Sequence, residues 1–267
     1  MLDEGVTQDI APWTRSDTRA TGRIGDAMFI ALHRGALPDL PLSLRGHGAP
    51  SAAAVQVAEV QEITDGAWLD GWRRGALRRL AEADLDAATV AAIDAADRCH
   101  LVRATVADPA DHLHLQGAWA LARWLAARGA MAVLDVFALR WHAAAALAAH
   151  DVTAPLDVTR EVTIVAEAAA APGAPHRVVH SRGLRKVARP DVVTLLDASA
   201  GPAEIDVATA ALAALASRLV DGWLPTPDDE LEVAARRATF AAAPTPLVDA
   251  LGLQNDALLV VLAPLRE

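Results

Sequence analysis

The chain has no tyrosine and only one cysteine, Cys99, in 267 residues. A single cysteine excludes an internal disulfide and any zinc site built on thiolates. Cys99 stands between Arg98 and His100 at the mouth of a predicted strand, where a buried, inert thiol is the expected state rather than a nucleophile. Long apolar runs are also missing. The most apolar stretches, 141–149 and 257–264, fall well short of the roughly 20 residues that span a bilayer. The first ten residues, Met1 to Ile10, are acidic and lack an apolar core segment, so no secretory signal is expected. The contiguous strings of common active sites are absent too. There is no Gly-x-x-x-x-Gly-Lys-Ser/Thr, no Gly-x-Gly-x-x-Gly after a strand, no Gly-x-Ser-x-Gly and no His-Glu-x-x-His. Their absence leans the reading away from catalysis.

What is present is acidic. The formal net charge is −10, which disfavours general binding to nucleic acid or to anionic membranes. Arginine far outnumbers lysine, and seven tryptophans stand beside no tyrosine. That bias suits GC-rich codons, so most alanine and arginine is background. The tryptophans carry more information, because each can bury a large area. Trp68, Trp119 or Trp124, and Trp223 are expected to be mostly buried.

One dense basic segment breaks the acidic background. His176 to Asp191 holds five Arg/Lys against one Asp. It reads as a strand, a sharp turn at Gly183, and a second strand led by Pro190. The turn projects Arg182, Arg185, Lys186 and Arg189, with His180 just before it, which makes these five the candidate anion- or partner-binding residues. Asp191 is the nearest carboxylate in sequence. Pairing with the protein's own surplus carboxylates is the competing explanation for these cations. The arginines 73, 74, 78 and 79 read more simply, as a solvated helix face.

The nine histidines give no local metal spacing, and neither a metal nor another cofactor is expected. His112 and His114, two apart on a helix, point about 200° apart. His176 and His180 would lie roughly 13 Å apart along a strand. His142 and His150 are eight apart on a predicted helix. A shared ion would need long-range convergence.

Hydrophobic period supplies the fold expectation. Strands are predicted at 27–32, 53–63, 100–106 and 131–137, and helices at 67–83 and 86–97. A helix capped by Asp108 and closed by Gly129 follows, and another spans Trp141 to His150. The 100–137 unit has the length of a strand–helix–strand crossover. After a boundary near Thr153, strands are predicted at 161–167, 176–182 and 191–196, then a helix at 202–220 and strands at 230–240 and 257–262. The order predicts an α+β fold with mixed or antiparallel sheets and helices packed on them. It divides into an N-terminal half, 1–152, and a C-terminal half, 153–267, either as two domains or around one shared core.

The segment His180-Ser181-Arg182-Gly183-Leu184-Arg185-Lys186-Val187-Ala188-Arg189-Pro190-Asp191 resembles a phrase of an uncharacterised bacterial protein family. Its form is His-Ser/Thr-Arg-Gly-Leu/Met-Arg-Lys-Phe-x-Arg-Pro-Asp, with Val187 here in place of the commoner Phe. The resemblance implies no defined activity, and related domains near toxin–immunity loci give it an immunity-like colouring. The leading expectation is a cytoplasmic, non-catalytic protein that binds a basic partner protein. The alternative is an enzyme or ligand-binding domain that holds an anionic small molecule at the bend 180–191, with His180 as general acid/base. Nucleic acid and membrane are not expected partners, and the sequence leaves the oligomeric state open.

Overall fold

The computed structural model describes residues 10–39, 44–167 and 175–265. Strand β1 (Ile24–His33) is the centre of a first sheet. One face carries Ala27, Phe29 and Ala31, the other Ile30 and Leu32, and both faces are buried. Burial on two sides explains the unbroken apolar run. With β2 (Ala58–Ile63), β3 (Arg98–Ala107), β4 (Ala132–Asp135) and β5 (Arg140–Ala143), the sheet runs β2-β3-β1-β4-β5. Both β3 and β4 are antiparallel to β1, so they are parallel to one another across it.

Nine helices are found among the described residues. The short α1 (Ala53–Gln56) precedes β2. Three helices, α2 (Gly66–Arg73), α3 (Gly75–Asp84) and α4 (Ala87–Asp94), cover the Ile30/Leu32 face with Leu69, Ala81, Val90 and Ile93. Asp65 and Asp86 accept from backbone amides at the starts of α2 and α4. The opposite face packs on α5 (Leu113–Ala127), the crossover from β3 to β4. Trp119 of α5 meets Phe29 of β1 with ring centroids 4.3 Å apart. The helices α6 (Ala144–Ala148) and α7 (Val158–Glu161) lead out of the first sheet.

The second sheet holds β6 (Thr163–Ala166), β7 (His176–Arg182), β8 (Asp191–Asp197), β9 (Glu230–Val233), β10 (Arg236–Ala242) and β11 (Ala257–Pro264). Its order is β6-β7-β8-β11-β10-β9, antiparallel throughout except for the parallel β8–β11 pair. The amphipathic α8 (Pro202–Val220) lies on β6, β7 and β8, and α9 (Thr245–Ala250) precedes β11. The α+β expectation therefore holds. One apolar cluster joins Phe29, Trp119 and Val133 to Val179, Leu184, Leu212 and Leu215, so both sheets contribute to the same core. No helix among the described residues is long and apolar enough to cross a membrane.

Several local expectations are corrected. The predicted helix at 141–150 opens as β5. Trp141 donates its amide to Asp84 at 2.8 Å and its indole N–H to the Leu77 carbonyl at 3.1 Å, and only 144–148 is helical. The predicted strand at 53–63 begins with the helical turn α1. Asp108 is not the cap of α5. The proline after it disfavours helix, it sits at φ 43°, and its carboxylate accepts from the Thr21 and Gly22 amides instead. The helix predicted over 67–83 breaks at Arg74, which is extended, and Gly75, at φ 64°. The 230–240 strand is a hairpin, turned by Ala234 and Ala235 at φ 46° and 58°. Among the tryptophans, Trp13, Trp119 and Trp141 are buried, and Trp68, Trp124 and Trp223 are partly buried and packed against the core, as expected for Trp68, Trp119 and Trp223. Cys99 is buried, and burial pushes its thiol up to about 12.

Candidate functional site

Gly183 ends β7 and turns the basic segment. Its φ is 110°, and a Cβ there would lie 2.3 Å from the Glu161 carbonyl oxygen, so only glycine fits. A 3-10 turn, Leu184–Val187, follows, and Pro190 leads into β8. The turn packs against β1, where the two sheets meet.

Lys186 points inward from this turn. It is the only lysine in the chain, and it is fully buried. Its ammonium meets the carboxylate of Asp135, at the end of β4, and Glu161 Oε2 at 2.7 Å. Glu161 also accepts from Trp119 Nε1 and from Arg160 Nε, each at 3.0 Å. The Ala138 amide donates to Asp135 at 3.1 Å. Burial pushes the Glu161 carboxyl up, but Lys186 and Arg160 outweigh it and hold it at about 2. At Asp135 burial prevails, reinforced by the negative charge of Glu161, and the carboxyl is pushed up. Burial also opposes the charge on Lys186, yet the two carboxylates keep its ammonium protonated.

The other cations of the bend go elsewhere. Arg185 donates to Asp26 Oδ2 at 2.9 Å and to the Gln254 carbonyl, and lies over the Phe137 ring at 5.0 Å. Asp26, buried on β1, also holds Arg103 of β3 in a two-pronged pair at 2.8 and 3.0 Å. Burial raises the Asp26 carboxyl, but the two guanidiniums outweigh it and leave it below the usual range. Arg182 donates to the Leu251 carbonyl at 2.6 Å and the Gly252 carbonyl at 3.3 Å, beyond the last turn of α9. Arg189 donates to the Gly222 carbonyl at 2.5 Å, just past the end of α8, and to Ala188 at 3.0 Å. Each of these two arginines thus complements the negative end of a helix.

His180 is fully buried, with Nε2 3.1 Å from Glu167 and Nδ1 3.1 Å from the Ser181 carbonyl. Asp191 makes no ion pair with the arginines among the described residues. It accepts from Ser181 Oγ at 2.8 Å, from Asn255 Nδ2 at 3.1 Å and from the Leu184 amide at 3.4 Å. Asn255 is the only asparagine in the chain. Burial pushes the Asp191 carboxyl up to about 6. The structure therefore gathers the predicted residues on one bend but sends them to separate acceptors. A cleft of about 60 Å³, the scale of a few waters, is left beside it, bordered by Arg182, Arg185, Asp191 and Asn255. His180 does not line it.

The histidines at the start of α5 diverge as their spacing implies. His112 Nε2 lies 2.9 Å from the Val220 carbonyl and His114 Nε2 2.7 Å from that of Lys186. Burial holds the His112 ring down at about 4. The long-range convergence that local spacing does not reveal occurs on the first sheet. His33, Glu62 and His100 come from three adjacent strands, and their ligand atoms all lie within 4.8 Å of one another. The spacing of histidines along the chain carries no sign of this set, because it depends on strand register: Glu62 pairs with His100, and His100 with Ala31, two residues before His33. No family model, no curated protein and no solved structure matches this chain.

Proposed function

We propose that this is a cytoplasmic, non-catalytic binding protein, immunity- or adaptor-like, whose partner is a basic protein. The observation that carries the reading is the internal commitment of the bend. Arg177, Arg182, Arg185, Lys186 and Arg189 each donate to an acceptor of the same chain. The one positive island is thereby drawn inward, and the charge left for a partner is acidic. Residues 58–98 illustrate this, with nine carboxylates against five arginines. Of these, Glu59, Asp65, Asp84, Asp86 and Asp97 are exposed. Such a surface steers a basic protein and repels phosphates. The lone buried thiol suits a reducing compartment.

The anion-binding alternative rests on the cleft beside Arg182 and Arg185, and one pair of measurements separates the two readings. Orthophosphate, sulfate and succinate should leave the melting temperature unchanged. Immobilised protein at about 0.15 M salt should retain a basic partner whose on-rate, remeasured with the purified pair, falls as salt rises. A melting temperature raised by one of these anions, and no longer raised in Arg182→Ala, would replace this reading with the anion-binding one. Finding no partner with salt-sensitive binding would sink it.

A further inference from the structure

We propose that His33, Glu62 and His100 form a binding site for one divalent transition-metal ion, with zinc the best-suited ion. This site stands apart from the basic bend and does not depend on the partner-binding reading. The three side chains share one face of β1, β2 and β3, near the edge of the first sheet. His33 is fully buried, His100 half-buried and Glu62 exposed, so the site is anchored in the protein and open at its outer end. His33 Nε2 lies 2.9 Å from His100 Nδ1, within about half an ångström of the roughly 3.3 Å that separates two nitrogens on one tetrahedral ion with bonds of about 2.0–2.1 Å.

The second contact of His33 fixes its role. Nδ1 sits 2.8 Å from the Gly35 carbonyl, which can only accept, so Nδ1 carries the proton and Nε2 presents a lone pair. This is the outer-shell arrangement that orients ligating histidines. The Gly35 turn is itself held by its amide, which donates to Asp97 at 2.8 Å. Without metal, His100 Nδ1–H donates to that lone pair. With metal, His100 takes its other neutral tautomer, the proton moving to Nε2 through solvent, and both rings ligate without a net proton change. Glu62 supplies the third ligand and a negative charge. Its present neighbour, Arg98 Nη1 at 3.3 Å, is a loose surface pair between two partly exposed groups, weak enough to be exchanged. Two imidazoles and one carboxylate suit zinc and its first-row neighbours better than calcium or magnesium, and the exposed side leaves a fourth position for water.

The test uses untagged, full-length protein stripped with chelator and titrated with zinc chloride by calorimetry, with elemental analysis after dialysis. One equivalent per chain is expected. Glu62→Gln changes an exposed side chain and should weaken zinc binding at least tenfold while leaving the circular dichroism unchanged. His100→Ala should weaken it further, and cobalt(II) should give a four-coordinate visible spectrum in wild type that is lost in His100→Ala. His176→Ala, a change at an exposed histidine outside the cluster, should bind as wild type. Failure of wild type to take up zinc would overturn the proposal. So would equal affinity in wild type, Glu62→Gln and His100→Ala, which would place the ion elsewhere.

Discussion

Replacing Lys186 with methionine keeps most of the side chain's length and removes its charge. The change leaves Asp135 and Glu161 buried beside one another without the ammonium they share. Breaking a buried pair by removing one partner costs about 3–5 kcal/mol. Glu161 shows the same dependence. Burial alone would raise its carboxyl, yet Lys186, first among the opposing charges, helps hold it well below its ordinary value, so removing the ammonium acts in the same direction. A domain of ordinary stability has roughly 5–15 kcal/mol in total, so Lys186→Met should lower the melting temperature by roughly 6–20 °C. Urea unfolding at pH 7 reads this directly. Lys186→Arg should not rescue, because a planar guanidinium does not fit a closed site shaped around an ammonium. Combining Lys186→Met with Asp135→Leu and Glu161→Gln should recover part of the loss, since the new amide oxygen still offers an acceptor to Trp119 and Arg160. If Lys186→Met unfolds within about 1 kcal/mol of wild type with an unchanged m-value, the ammonium is not holding a desolvated pair and this reasoning is refuted.

Two pH effects of opposite sign follow from buried groups. Folding holds His112 and His142 at about 4 against an unfolded value of 6.5, mainly through burial. Their contribution is complete above 6.5 and is lost as pH falls toward 4, at about 3 kcal/mol each, so the urea midpoint should drop between pH 7 and pH 5. Folding raises Asp191 from 3.8 to about 6 by burial, so its contribution improves as pH falls through 6 and levels off below 3.8, again worth about 3 kcal/mol. The two histidines outweigh it in wild type, and Asp191→Asn should make the loss on acidification steeper. An Asp191→Asn profile parallel to wild type would show that this carboxyl does not titrate in that range.

How much of this was legible in the chain depends on distance along it. The stripe Ile205, Ala208, Leu212, Leu215 and Leu219 defines α8 from within one segment, and its predicted ends match the helix. The bend was legible for the same reason, since Gly183 and Pro190 act on their own neighbours. The destinations of its side chains were not. Arg185 meets Asp26 from 159 residues away and Lys186 meets Asp135 from 51. Trp141 misled because cross-strand pairing outweighs the helical preference of the alanines after it. The histidine pair and Glu62 required a three-strand register that periodicity alone does not supply. A compositional signal was nevertheless present. In a chain that uses arginine almost everywhere, the only lysine and the only asparagine both serve this bend. A compact ammonium between two carboxylates is a task that arginine does not perform.

The charges that meet at the bend also bear on whether this protein can be taken apart. A fragment ending at residue 152 would carry Asp135 into its interior without Lys186, and would leave Asp26 with Arg103 alone. The remaining fragment would bury Lys186 with only Glu161 of its two carboxylates. Each piece would hold ionised groups that water solvates better than its own core does. Neither half is then an interchangeable module. Recombination that grafted one half onto a foreign partner would have to carry the matching charges with it, and the protein should melt as one cooperative unit rather than sheet by sheet.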